Sequence, residues 1–440
     1  MEHNKRVLLI SYFFAPQPTV GATRAVKFYQ YLPEFGWEPH VLTIRPAAIS
    51  TKLEMARVVR TNYISPWKWI EQRRARLSKP SDSSPTWNLK QASLKSKWRQ
   101  RFYSLMRHLL PMSSVRMPDA TFGWYPFAIK AGQAILKAQK FDVIWSSTGP
   151  PTNHLIAAKL HQQTGIPWVA DFRDLWSLNY QETRVPAFQT IEARLERRVL
   201  SQANRITTIS KGLAQVLSDF YGREIDVVYN GYDDKSRPQV NQRVEQQFTI
   251  RYTGSLYPEM GDFRPFLQTL VQAREVESSF LPRFQFIGPE LAWFAELVQE
   301  YGLSDMIECL APVSRKEALA LQQSSTALLL FGWSKPDKPG WMPVKMFEYM
   351  RTGRPILEIG PKQSESAATI AKCQAGMTVE QPEEIQSVLL SWWNEYQQTG
   401  SVTWSTDMEQ VTQYSRRAQT GRLAEIFNSM QNKTCQRIAD

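Results

Sequence analysis

Short apolar runs alternate with amphipathic stretches along most of this chain. Arg6–Ser11 is an apolar run the length of one strand, and Gly21–Phe35 follows with helical spacing. Pro39–Ile44 is the next strand. After a long polar interval the pattern resumes with helix Tyr125–Gln139 and strand Phe141–Ser146, then helix Thr152–Gln163 and strand Pro167–Phe172. A charged helix over Thr190–Gln202, strand Arg205–Ile209, helix Lys211–Phe220 and strand Ile225–Tyr229 complete the first half. Regular βα alternation predicts a parallel sheet covered by helices on both faces.

Residues 233–247 are polar and lack apolar periodicity, which marks a linker ending at 247. A second alternation then starts at Phe248–Gly254. Its strands fall near Phe284–Gly288, Ile307–Leu310, Ala327–Phe331, Pro355–Ile359 and Gly376–Val379, with helices between them. Helical patterns over Pro382–Tyr396 and Met408–Gln431 close the chain. The fold class expected is α/β: two Rossmann-like, doubly wound parallel-sheet domains facing across a cleft. In such sheets ligands bind beyond the carboxyl ends of the strands.

Charge changes this picture at one place. The chain carries a net charge of +12. Residues 51–117 hold fifteen Lys and Arg against Glu54, Glu71 and Asp82, which leaves the rest of the chain balanced. One insert therefore supplies the whole excess and suits an anionic surface. Within it, Leu94, Trp98, Phe102, Leu105 and Leu109 recur at helical spacing, with Lys95, Lys97, Arg99, Arg101 and Arg107 mainly off that stripe. A helix lying in a membrane interface has this pattern, and so does a helix packed on the first domain. No nucleic-acid recognition module is visible, so nucleic acid is not expected as a partner. Three widely spaced cysteines, Cys309, Cys373 and Cys435, make neither a disulfide framework nor a zinc site, and point to a reducing compartment. The first strand begins too early for a signal peptide, and no apolar run spans a bilayer. The expected place is the cytoplasm, peripheral on the inner face of the membrane.

The richest chemistry lies in Gly340–Pro361. A Gly/Pro loop leads into a helix over Val344–Arg351, which stops near Gly353 before strand Pro355–Ile359. The helix N-terminus offers free N–H groups to an anion, phosphate above all. Lys345 and Glu348 share one helix face. A cation beside a phosphate and a carboxylate beside paired hydroxyls would hold a nucleotide diphosphate joined to a sugar; an ordinary solvated Lys–Glu pair has the same spacing.

This stretch resembles the donor-binding element of the retaining GT-B glycosyltransferases of family 4. There the helix carboxylate holds the ribose hydroxyls, and Glu348 matches it. The family usually carries a second glutamate eight residues earlier, near the transferred sugar, where this chain has Gly340. In the first domain, Gly21 follows a Pro-containing turn that resembles the family's first loop, with Arg24 one helical turn on as a candidate phosphate contact. The segment Val169–Trp176 contains Asp171, Arg173 and Asp174, and its DFRDLW resembles a signature of one branch of the family. Other branches have a histidine where Arg173 stands. Arginine does not act as a base at neutral pH, so its expected part is charge stabilisation; pairing with Asp171 or Asp174 to stiffen the loop is the other reading. His154 is expected to be an ordinary helix residue. At the start of the second domain, Gly254 matches the family's glycine. The arginine and lysine that neutralise the diphosphate in the family are replaced by Ser255 and Met260. Lys345 is the best compensating cation, with Arg264 and Arg251 as others, and Ser255 retains one hydrogen-bond donor.

The resemblance runs over nearly the entire chain outside 51–117. It implies residues 1–235 as an acceptor-side domain, 236–247 as linker, 248–407 as the nucleotide-sugar domain, and 408–440 as a helix crossing back to the first domain. It implies metal-independent, retaining transfer of a sugar from a nucleotide diphosphate to a lipid-linked or polysaccharide acceptor in cell-surface polysaccharide synthesis. Arg173, Asp171, Asp174 and Lys345 would carry the chemistry. Gly21, Arg24, Gly254, Ser255, Lys345 and Glu348 would bind the donor, with no separate cofactor. A catalytically silent membrane-docking partner, or a nucleotide-sugar epimerase of the same fold, is the alternative.

Overall fold

The structure is a computed structural model that describes residues 5–17, 19–46, 56–64, 117–179, 185–234, 247–332 and 340–439. The amphipathic stretch 94–110 and most of the expected linker lie outside the described residues. The chain divides into two compact units. The first comprises residues 1–208, 221–226 and 423–440; the second comprises 209–220 and 227–422.

The first unit is built on strands β1 (Lys5–Ile10), β2 (Trp37–Ile44), β3 (Val58–Thr61), β4 (Val143–Ser147), β5 (Trp168–Phe172), β6 (Arg205–Thr208) and β7 (Asp226–Val227). They stand in the order β3-β2-β1-β4-β5-β6-β7. Pairing from β3 through β6 is parallel. Helices α1 (Val20–Tyr31), α2 (Tyr125–Ala138), α3 (Thr152–Thr164) and α4 (Pro186–Leu200) lie between them in the chain, and α5 (Lys211–Tyr221), which follows β6, falls almost wholly within the second unit. The central strands are short apolar runs buried on both faces, as a doubly covered parallel sheet requires. Trp37, Trp124, Trp145 and Trp168 are fully buried. Val58–Thr61 is a correction to the sequence reading: this part of the basic insert is the edge strand of the sheet, register-matched to Val41–Ile44.

The second unit is built on β8 (Thr249–Thr253), β9 (Arg283–Ile287), β10 (Ile307–Leu310), β11 (Ala327–Phe331), β12 (Ile356–Ile359) and β13 (Gly376–Val379), in the order β10-β9-β8-β11-β12-β13. All these pairings are parallel. Its helices are α6 (Arg264–Val276), α7 (Ala292–Glu300), α8 (Arg315–Ser324), α9 (Val344–Thr352), α10 (Glu365–Lys372), α11 (Pro382–Thr399) and α12 (Met408–Thr412). The alternation of a strand assigns the two faces: Leu329 and Phe331 join the cluster under α6, α7 and α11, whereas Leu328 and Leu330 join the one under α9 and α10. The last helix, α13 (Arg416–Ala439), is separated from α12 by a break at residues 413–415, where one continuous helical pattern was expected. Its residue Phe427 packs on Trp37, with ring centroids 5.0 Å apart, and Asn428 accepts a hydrogen bond from Lys5 at 2.8 Å.

In each sheet the strand order reverses once, between β1 and β4 and between β8 and β11. Loops leaving neighbouring strands there diverge to opposite faces, which opens the sheet edge to a ligand. At the first reversal a buried ion pair fixes α1 to the sheet. Arg24 Nε and Nη2 donate to Asp171 Oδ2 and Oδ1 at 2.8 and 2.7 Å, in the planar fork geometry that suits a carboxylate. Ser147 and Thr207 hydroxyls donate to the same carboxylate at 2.8 and 2.7 Å. Both charged side chains are almost fully out of water, at 3% and 0% exposure. The sequence reading placed Arg24 at a phosphate and Asp171 at the chemistry; the fold instead joins them to each other inside the unit.

Removing one member of such a pair leaves the other buried and uncompensated. Arg24→Met is expected to cost about 3–5 kcal/mol of stability, read from the urea midpoint, with Asp171→Asn added to it restoring part of the loss. A loss below about 1 kcal/mol would contradict a structural role for the pair.

Candidate functional site

The candidate site lies at the second reversal point. Helix α9 buries Met346, Phe347, Tyr349 and Met350 in the core. Tyr349 hydroxyl accepts a hydrogen bond from Thr253 N at 2.8 Å, which ties α9 to the carboxyl end of β8. Lys345 and Glu348, three residues apart, occupy the face that this packing leaves over. The helix starts after Pro343, whose backbone is extended (φ −70°, ψ 135°), and ends at Gly353, which is left-handed at φ +71°. This is the loop–helix–strand layout that the sequence predicts.

Lys345 is largely buried. Its Nζ donates to Tyr252 Oη at 2.6 Å and lies 3.8 Å from the centre of that ring; Tyr252 Oη donates onward to the Ser255 carbonyl at 2.6 Å. Gly254 makes room for this arrangement. Its φ is +113°, and a Cβ there would stand 3.1 Å from Lys345 Nζ. Burial brings the Lys345 ammonium down to about 7, against the opposing pull of the Glu348 charge. The group therefore changes charge near neutrality, and an anion placed beside it would restore the proton. Tyr252 shifts the opposite way for the same reason: burial, then the neighbouring Tyr349 and Tyr257, push its hydroxyl up, so it stays a neutral hydrogen-bond partner.

Glu348 is held from outside its own helix. Arg315 Nη2 donates to Glu348 Oε1 at 2.6 Å. Neither Arg315 nor Tyr252 stands out in the sequence. The first sits in a polar helix start and the second in an apolar strand, and only the packing of α8, α9 and β8 brings them to Glu348 and Lys345.

The family residues that this chain lacks have a structural counterpart. Gly340 is left-handed at φ +77°, and a Cβ on it would run into Leu213 N and Ser210 Oγ. A glutamate side chain has no room there. Met260 is buried among Phe263, Phe266 and the rest of the core cluster. Of the other cations considered, Arg251 is 1% exposed and spent on Gln285 Oε1, the Leu321 carbonyl and the Ser324 and Ser325 hydroxyls. Arg264 is 66% exposed and paired with Asp262 at 3.7 Å. Arg251 is thereby removed from any part in holding a phosphate.

In the first unit, Arg173 pairs with Asp174, its Nε and Nη2 donating to Oδ2 at 2.9 and 2.7 Å; it does not pair with Asp171. The guanidinium rests against Gly21, in the first turn of α1, and the loop glycine Gly149. A Cβ on Gly21 would come to 2.8 Å of Nη1, and one on Gly149 would run into Nη2. Gly21 thus accommodates Arg173 at the N-terminus of α1. His154 is a core residue: it is fully buried, its Nδ1 lies 2.7 Å from Ser146 Oγ, and its ring leans on Phe172. Burial takes it down to about 3, so it is neutral. Among the described residues no helix is long and apolar enough to cross a membrane.

Comparison with known proteins bears on both units. Residues 95–236 match the family model of Glycosyltransferase Family 4. That match begins inside the basic insert, at Lys95, so the family resemblance is not confined to residues outside 51–117. No curated protein sequence matches the chain. Solved structures match it along nearly its full length. The sucrose-phosphate synthase of Thermosynechococcus elongatus is 16% identical, with a TM-score of 0.59 over 98% of this chain and 100% of that one. Anabaena HepE in complex with UDP is 13% identical, with a TM-score of 0.61 over 97% and 100%. A glycosyltransferase from Rickettsia africae is 11% identical, with a TM-score of 0.58 over 97% and 99%. At these identities the likeness is one of fold. Residues 95–236 thus resemble glycosyltransferase family 4, and the chain as a whole has the GT-B fold.

Proposed function

We propose that this protein transfers a sugar, with retention at the anomeric carbon, from a nucleotide diphosphate donor held by the β8–α9 site. The observation that carries the reading is the placement on one helix face of a largely buried lysine and a carboxylate, at the point where the strand order reverses. Lys345 lies against the backbone of Gly254 and Ser255, where a diphosphate would gain both its charge and neighbouring hydrogen-bond donors. Glu348 offers a carboxylate oxygen to the ribose diol. The same lysine would stabilise the diphosphate as it leaves, when its negative charge is greatest. No metal is given a part in that step.

In the acceptor-side unit, Arg173 with Asp174 presents a fixed cation beside Gly21 and is assigned to charge stabilisation, while Arg24 and Asp171 hold α1, whose first turn carries Gly21. A lipid-linked or polysaccharide acceptor, cell-surface polysaccharide synthesis and attachment to an anionic inner membrane face through residues 51–117 belong to the same reading. The concentration of the chain's excess charge in that insert supports the attachment to an anionic surface. HepE has been crystallised with UDP and with UDP-glucose, which makes uridine nucleotides the first probes to use.

The test is calorimetric titration of the full chain with UDP and other nucleoside diphosphates, followed by a transfer and hydrolysis screen of nucleotide sugars. Binding to the wild type, reduced about tenfold in Glu348→Ala, is expected if the carboxylate holds ribose through charged hydrogen bonds. Unchanged affinity in that variant would refute the assignment. Lys345→Met is expected to lose more for a diphosphate than for the nucleoside alone, because only the former meets the cation. Equal losses for the two ligands would place the diphosphate elsewhere.

A further inference from the structure

Arg315 is the first residue of α8, and helix energetics do not account for it. Ser314 already caps that helix by accepting from Glu317 N at 3.3 Å. Glu317 also lies in the first turn, where negative charge suits the helix dipole. Arg315 and Lys316 occupy the same turn with the disfavoured sign. What Arg315 does form is the 2.6 Å ion pair with Glu348, reaching from a half-exposed side chain (54%) to a nearly covered one (12%).

Glu348 has a second natural partner. Lys345 stands three residues back on the same helix face, a spacing at which Lys and Glu ordinarily pair. Among the described ion pairs, however, Glu348 is joined to Arg315. The Lys345 ammonium turns to Tyr252 Oη, with the Ser255 carbonyl 3.5 Å away. The groups facing Lys345 are therefore the Tyr252 hydroxyl and ring, the Ser255 carbonyl, the Gly254 backbone and, through its charge, Glu348.

We infer that Arg315 is a positioning residue that draws the Glu348 carboxylate away from Lys345, leaving the cation for the donor's diphosphate and a carboxylate oxygen for its ribose. Without Arg315, a nearly covered carboxylate is left with Lys345 as its neighbouring cation on α9. The two would close on each other, and a nucleotide would have to separate them before binding either. Arg315 also offsets the Glu348 charge, which would otherwise repel the polyanionic ligand it helps to hold. This inference rests on the donor-binding reading above, so its test has one readout that needs no ligand.

The variants are Arg315→Gln and Arg315→Lys in the full chain. The first readout is a lysine NMR titration without ligand, with the Lys345 signal assigned by its loss in Lys345→Arg. In Arg315→Gln the Lys345 midpoint is expected to move upward, because the released carboxylate favours the ammonium, and in Arg315→Lys it is expected to return most of the way. The second is the Kd for UDP, expected to weaken about tenfold in Arg315→Gln and to recover in Arg315→Lys. An unmoved midpoint overturns the inference whatever the ligand does. A moved midpoint with an unchanged Kd overturns its ligand part. A wild type that binds no nucleotide, with the midpoint shift present, overturns the donor reading and supports the role of Arg315 in separating the pair.

Discussion

The site depends on an ammonium group withdrawn from water without a carboxylate bound to it. Lys345 reaches back along α9 to the end of β8, where a tyrosine hydroxyl and a glycine-lined stretch of backbone receive it. Desolvation works against its charge, and the nearest opposite charge, Glu348, is held by Arg315. Such a group has a standing preference for an anion. The β8–β11 reversal point supplies a place where one can approach, because the connections leave the sheet in opposite directions there.

The departures from the family pattern fit the same constraint. The sugar-side glutamate of the family has no space at Gly340, whose left-handed backbone lies against Ser210 and Leu213. Met260, where the resemblance would put the family's second diphosphate cation, is part of the aromatic core cluster. With Arg251 buried in a network of its own, positive charge at the end of β8 is concentrated in Lys345. A site with one titratable cation responds to pH more steeply than one with a fixed arginine, which stays charged throughout.

Much of the fold was legible in the sequence because parallel strands are short apolar runs with clear ends. The limits of Ile307–Leu310, Ala327–Phe331 and Gly376–Val379 match their strands, and most of the others differ by a residue or two. Val58–Thr61 was hidden because an edge strand needs little apolar character and this one sits among basic residues. The break between α12 and α13 interrupts a helical pattern that the sequence continues. In the candidate site, the placement of Lys345 and Glu348 on one helix face could be read from spacing, since helix geometry is local. Arg24 and Asp171 could not be read as a pair, being 147 positions apart, and each taken alone resembles a ligand-facing charge. Arg315 and Tyr252 were invisible for the same reason: their roles exist only once three elements have packed.

The most direct measurement is the number of protons taken up when UDP binds. It is obtained by calorimetry at pH 8 in two buffers of different ionisation enthalpy. A lysine that is mostly neutral at that pH in the free protein, and charged once a diphosphate lies beside it, requires an uptake approaching one proton, abolished in Lys345→Met. Binding with no proton uptake, or the same uptake in Lys345→Met, would contradict the account of Lys345 as the group that gains its charge beside the diphosphate.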